Sequence, residues 1–324
     1  MIIVKPTVCT VLLGLLGVAA FNSSAQPYPS KTVRYIVPMS AGSGADTIGR
    51  IVAAGLTQSF GHQVILDNRT GAAGNLGADI AAKSPADGYT LFQVSSTHAT
   101  NVSLYRNLPY DLVKDFAPVT QLASSPSVLV VHPSLPVKTI ADLVTLTKAR
   151  PGEMNYGSTG AGSATFLAAE LFKGMAGVNI VHVPYRGGGE ALTAILSGEI
   201  SVYFAPMAPI LPHIRQGRVR TLAATTSKRL DAFPQMPTIA ESGYNGYQAG
   251  NWYGLVTPAK TPRDIVSAIR TAAVAAINER TTRQRLIDLG YLIVGDQPDE
   301  FAVFIKSEIT TLGNIIKQTG VTVQ

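Results

Sequence analysis

The chain has 324 residues, 46% of them hydrophobic and 14% charged, which excludes a disordered chain of low hydrophobicity and high net charge. No three-residue glycine period and no sustained heptad is present, so collagen and coiled coil are excluded as well. The formal net charge is +6, and its densest basic stretch, Arg280, Arg283 and Arg285, lacks the interleaved aromatics of a nucleic-acid stripe. A weak positive field suits a small anionic ligand instead. Length suggests about two domains.

The first 25 residues read as a secretory signal peptide. Lys5 gives a basic start, residues 8–21 are apolar apart from Thr10, and Ser23-Ser24-Ala25 is a small-residue cleavage site. The apolar run is shorter than the roughly 20 residues a membrane-spanning helix needs. Cleavage after Ala25 would place the mature chain in the periplasm. It would also remove Cys9, the single cysteine, and with it any disulfide, thiol nucleophile or thiolate metal site.

Strands and helices then alternate. Strands are predicted at 32–37, 64–66, 90–94, 128–131, 180–183, 200–204 and 222–225. Ile48, Ile51, Val52, Leu56 and Phe60 fall at helical spacing, with Gly61 as the stop. Further helices are predicted at 75–83, at 139–150 behind a Thr139/Asp142 capping box, from Phe166 to a stop at Gly174, and at 190–196. The last third is read as helical at 263–278, 282–289 and 298–317. This alternation predicts α/β lobes built on parallel sheets covered on both faces.

Two Gly/Ser loops carry the functional signal, residues 40–44 and 158–163. Each follows a strand and opens a helix, so backbone amides converge where the helix dipole adds partial positive charge. Two such loops, one per half, can hold a carboxylate without any Lys or Arg. The glycines do not complete G-x-G-x-x-G, and no phosphate-binding G-x-x-x-x-G-K-[ST] occurs, so no cofactor is expected. His62, His98, His132, His182 and His213 show no metal-ligand spacing, and His182 reads as a structural histidine on a strand. No G-x-S-x-G elbow exists, and no nucleophile–base pair is evident. Asp46, in the first helical turn after the first loop, reads as a dipole complement and brace.

Pro38-Met39-Ser40-Ala41-Gly42-Ser43-Gly44-Ala45-Asp46 resembles the first ligand loop of the Bug family, the periplasmic receptors of tripartite tricarboxylate transporters. The similarity continues through Asn68-Arg69-Thr70-Gly71-Ala72-Ala73-Gly74-Asn75, Pro85-Ala86-Asp87-Gly88-Tyr89, Tyr156-Gly157-Ser158-Thr159-Gly160 and Val183-Pro184-Tyr185-Arg186-Gly187-Gly188. Pro212-His213-Ile214, the 237–244 segment and Trp252-Tyr253-Gly254 complete it.

The resemblance implies a type II periplasmic-binding-protein fold, two α/β lobes with a ligand cleft between them. Residues 26–125 and 253–324 would form one lobe and 126–252 the other, with hinge closure on a carboxylate or dicarboxylate. It implies a monomer that delivers its ligand to membrane transporter subunits, without catalysis. The rival is an exported enzyme or a sensor subunit on the same fold. The ligand residues it implies are Ser40, Ala41, Gly42 and Ser43, braced by Asp46, then Thr97 and His98 on a cleft-wall loop. Ser158, Thr159, Gly160, Ser163 and Tyr185 follow in the second half, with Phe204 and Ala205 at a cleft-facing strand end. Ser43 stands where the family often has glycine, and Ala205 where it often has a polar residue. The missing polar partner at Ala205 predicts a ligand without an α-ammonium group. Tyr253 is expected to narrow the cleft mouth.

Overall fold

The computed structural model describes residues 1–2, 28–185, 187–230 and 233–319. The expected signal peptide with its cleavage site, and Arg186, lie outside the described residues.

The first half begins β1 (Val33–Val37), α1 (Gly44–Phe60), β2 (Val64–Asn68), a 3-10 turn, α2 (Asn75–Ala82), β3 (Thr90–Ser95) and α3 (Ser96–Leu104). β4 (Phe116–Val131) then leads to α4 (Ile140–Ala149), β5 (Asn155–Ser158), α5 (Ala164–Ala176) and β6 (Val181–Pro184). Next come α6 (Gly188–Ser197), β7 (Val202–Pro206), α7 (Met207–Arg215) and β8 (Arg220–Ala224). β9 (Gly250–Pro258), α8 (Arg263–Asn278), α9 (Arg280–Asp288), β10 (Leu292–Ile293) and α10 (Pro298–Thr319) complete the chain.

The strands run in the order β2-β1-β3-β9-β4-β7-β5-β6, with β8 and β10 also on β4. β1 is parallel to β2 and β3, and β5 is parallel to β6 and β7, as the alternating pattern predicts. The expectation of purely parallel sheets is corrected at the centre. β9 is antiparallel to β3 and β4, and β4 is antiparallel to β7 and β8. The cause is topological: β4 carries the chain out and β9 brings it back, so neighbouring crossing strands oppose each other. From Phe116 to Pro126 β4 pairs with β9, and from Ser127 onward with β7 and β8. Pro126, which has no amide proton, sits where the partner changes.

Each half is a helix–sheet–helix sandwich. α1 and α8 pack on one face of the first sheet through Ile48, Val52 and Leu56 against Ile269, Ala273 and Ile277. A Cβ added to Gly55 would lie 2.2 Å from the Cβ of Ala276, so glycine sets how closely these helices approach. The opposite face carries Ala78, Ala99, Phe301 and Ile305. The second sheet is covered by Phe166, Leu167 and Phe172 on one side and by Ala194, Ile195 and Ile210 on the other. α10 serves both halves: Phe301 and Ile305 belong to the first core, Ile315 and Ile316 to the second.

Thr139 caps α4 as its capping box predicts. α5 passes through Gly174 and ends at Gly177, whose left-handed φ of 61° closes the helix. The sequence pattern does not reveal α3, α7, β9, β10 or the first twelve residues of β4. α3 reads STHATNVSL, with no apolar stripe, and α7 contains Pro212. Among the described residues no helix is long and apolar enough to cross a membrane.

Candidate functional site

The β1–α1 and β5–α5 turns have the same backbone. Ser43 and Ser163 cap their helices with φ/ψ of −71°/164° and −70°/159°. Ser43 N donates to Ser40 O at 3.2 Å, and Ser163 N to Gly160 O at 3.2 Å. Each cap hydroxyl accepts the amide three residues on, Asp46 N at 3.2 Å and Phe166 N at 3.3 Å. The glycine before each cap is left-handed, Gly42 at φ 81° and Gly162 at φ 79°. The two turns therefore correspond as Ser40-Ala41-Gly42-Ser43 with Gly160-Ala161-Gly162-Ser163. The counterpart of Gly42 is Gly162, a residue outside the expected ligand set. The repeated tripeptide Ala-Gly-Ser was its signal in the sequence.

Helix geometry leaves the first two amides of each helix without carbonyl partners: Gly44 and Ala45 in α1, Ala164 and Thr165 in α5. Each helix start thus presents unspent donors with the positive end of a dipole behind them. Ser40, Ala41 and Gly42 are exposed, as is Ala161, while Thr159, Gly160, Gly162 and Ser163 are half-buried. A Cβ built on Gly42 or Gly160 would meet nothing within 4 Å, so the backbone there faces open space.

What lies behind the turns differs. Asp46 is buried and accepts hydrogen bonds from Gly42 N (2.9 Å), Arg50 Nε (2.9 Å) and Asn68 Nδ2 (3.0 Å). Asn68 also donates to Met39 O at 2.9 Å. Burial pushes the Asp46 carboxyl up, but these donors outweigh it and hold its pKa below the usual carboxylate range. Asp46 braces the first turn, and it consumes the Gly42 amide in doing so.

In the second turn the braces are neutral. Thr165 Oγ1 accepts Thr159 N at 3.0 Å, and Ser158 Oγ accepts Gly160 N at 3.0 Å. Ser158 Oγ also shares a 2.6 Å hydrogen bond with His182 Nε2. The His182 ring stacks on Tyr156 at 5.0 Å, and burial lowers its pKa. Phe166 stands where Asp46 stands in the first turn and offers Gly162 no acceptor. Among the described residues the Gly162 amide has no hydrogen-bond partner.

Ser158 and His182 are close enough for a nucleophile and its base, a pair the sequence did not show. Ser158 is fully buried and its oxygen is committed to the Gly160 amide, so it supports the loop from beneath. His98 is also fully buried. It caps α3, its Nδ1 accepting Ser95 N at 3.1 Å, and burial lowers its pKa to about 4. The expected cleft-wall loop is thus the start of a helix, and Thr97 is its half-buried member. Phe204 packs against Phe172 in one core and Ala205 lies in the opposite core. Neither is placed at a cleft surface. The Tyr185 hydroxyl donates to Glu199 at 2.7 Å.

Side chains that the expected set leaves out join the first turn to the crossing strands. A Cβ on Gly44 would meet the hydroxyls of Tyr253 and Tyr291 at 2.9 and 2.8 Å. Tyr253 OH accepts Asn251 Nδ2 at 2.9 Å, and Asn251 Oδ1 accepts the Ser96 hydroxyl. The halves meet where Leu104 of α3 covers Gly162, and where Gly290 lies against Ala208 at the start of α7. Among the described residues no group of three or more His, Cys, Asp or Glu could hold a metal ion.

Residues 48–321 match the family described as the tripartite tricarboxylate transporter family receptor. The chain belongs to this receptor family. It is 34% identical to protein BugT of Bordetella pertussis over 312 residues, 96% of this chain and 95% of that protein. Among solved structures it is similar to an R. palustris protein determined with adipate. There the TM-score is 0.76 and the identity 35%, covering 91% of this chain and 99% of that one. MatC of Rhodopseudomonas palustris, with bound malate, matches at TM-score 0.73 and 30% identity, covering 89% and 100%. The receptor has the two-lobe periplasmic-binding fold of these neighbours, as the resemblance implied.

Proposed function

We propose that the receptor captures a small carboxylate between its lobes in the periplasm and delivers it to membrane transporter subunits, as a monomer and without catalysis. The observation that carries this reading is the pair of matching turns, each opening a helix with unspent amides. A carboxylate has two oxygens and a delocalised charge, which suits two convergent helix starts. Gly44 and Ala45 donate from the first turn, Gly162 and Ala164 from the second. Ser40, Thr97 and Thr159 supply hydroxyls around them. Gly42, Asp46, His98, Ser158 and His182 hold this geometry. The solved relatives with adipate and malate support the ligand class.

The lobes are residues 26–125 with 253–324, and 126–252. The change of β4 partner at Ser127 and the return of β9 at Gly250 support these bounds. With two crossing strands between the lobes, closure on ligand is a hinge motion.

The test is calorimetric titration of the mature protein with adipate, malate, citrate and benzoate, repeated on Gly162→Val. Binding of at least one carboxylate, lost in the variant because a branched residue is strained at positive φ and blocks the amide, is the expected result. Unimpaired binding by Gly162→Val, with loss on removal of a single Lys or Arg, would overturn it.

A further inference from the structure

Beside the second turn lies a partly open cavity of about 230 Å³ lined by both halves and by α10. Ser96, Thr97 and Thr100 of α3 line one side, Gly162 of the second turn with Ala164 and Leu167 of α5 another, and the crossing strands the floor. Its α10 wall holds Glu308, the only charged side chain among the lining residues. Glu308 Oε2 accepts the Trp252 indole Nε1 at 2.8 Å, which fixes the carboxyl against the floor. Trp252 is itself clamped edge-on by Phe301 and Phe304. Burial raises the Glu308 pKa, so the anion is poorly compensated where it stands. The cavity is lined by Gly162 and Ala164 of the second turn, and Ser96 and Asn251 in its wall connect through Tyr253 to Gly44 of the first. It is continuous with the proposed carboxylate grip.

We propose that this cavity is a cation subsite, in which Glu308 receives an ammonium group carried by the far end of the carboxylate ligand. A second carboxylate entering here would meet a half-buried carboxylate, with no Lys or Arg among the described lining residues. An ammonium would supply the missing countercharge and find hydroxyl and amide oxygens around it. The expectation of a ligand without an α-ammonium group rested on Ala205, which the fold places in a core. Position 205 therefore says nothing about the cleft, and the acceptor lies instead on the last helix. This inference rests on the two-turn reading of carboxylate binding.

The experiment compares length-matched pairs by calorimetric titration: β-alanine with succinate, γ-aminobutyrate with glutarate, and δ-aminovalerate with adipate. In at least one pair the amino member binds more tightly, by about tenfold or more, as for a close desolvated charge pair. Glu308→Gln abolishes that preference while the dicarboxylate of the pair binds at least as well as before. A second measurement uses the unaltered protein in two mildly acidic buffers of different ionisation heat. Relative to Glu308→Gln measured alongside, the unaltered protein releases more protons with the amino ligand and takes more up with the dicarboxylate. Tighter dicarboxylate binding in every pair, a ratio unchanged by Glu308→Gln, or more proton uptake with the amino ligand than in Glu308→Gln overturns the subsite and leaves the two-turn reading standing. Absence of binding by every member of both series overturns the subsite, and the two-turn reading falls with it when malate, citrate and benzoate are inert as well.

Discussion

The turns at 40–43 and 160–163 follow one backbone path, with matching left-handed glycines and serine caps, yet are held by opposite chemistry. A buried carboxylate with three donors holds the first turn. Two hydroxyls and a neutral imidazole hold the second. The charge-braced turn spends its glycine amide on Asp46, and the hydroxyl-braced turn leaves Gly162 available. The same fold element thus serves as a rigid anchor in one lobe and as a donor-rich surface in the other.

Asp46→Ala should break the comparison most severely. It leaves the Gly42 amide without its acceptor and the Asn68 amide group with only Met39 O, while the exposed Arg50 loses little. A loss of about 2–3 kcal/mol in denaturant unfolding is expected, with carboxylate binding abolished. Ser158→Ala should cost less, about 1–2 kcal/mol, because one neutral acceptor and the His182 partner are removed. Its binding defect should be partial, since the Gly162 and Ala164 amides stay in place. Equal losses in the two variants would show that the braces are equivalent.

Acid should separate the turns. Burial lowers the His182 pKa in the folded state, so the unfolded chain takes up that proton first, below pH ~6.5. The stability contributed by neutral His182 is present above that pH and lost as pH falls. His98 acts in the same direction, between ~6.5 and its folded value of about 4. The Asp46 contribution is present above pH ~3.9 and is lost only as pH falls through its lower folded pKa. Amide exchange protection at Gly160 should therefore fall on mild acidification before protection at Gly42 does. Simultaneous loss would contradict the assignment. The smallest effect belongs to Thr159→Val, whose hydroxyl contact to Thr165 is long at 3.4 Å. Stability should change by less than ~0.5 kcal/mol, read from the thermal midpoint.

Local chemistry made much of this molecule legible in its sequence. The Gly/Ser turns, the Asp46 brace, the capping box at Thr139 and the apolar stripe of α1 all depend on neighbours within a few residues. The two lobes were legible from alternation, but the crossing strands were not, because β9 follows a long irregular segment and carries no clean alternation. α3 escaped notice because its helix start is set by a Ser95–His98 cap on a polar stretch. The depth of Phe204, Ala205, Ser158 and His98 depends on which sheet face each one meets, and only the assembled fold decides that. Glu308 was invisible for the same reason. It sits on an amphipathic helix far along the chain, and its meaning comes from Trp252 and from the cavity between the halves.

The most direct measurement is a crystal structure of the mature receptor with adipate or malate bound. The account predicts ligand carboxylate oxygens within about 3 Å of the Gly44 or Ala45 amide in one lobe and the Gly162 or Ala164 amide in the other. A carboxylate held by Lys or Arg side chains, with both turns empty, would contradict it.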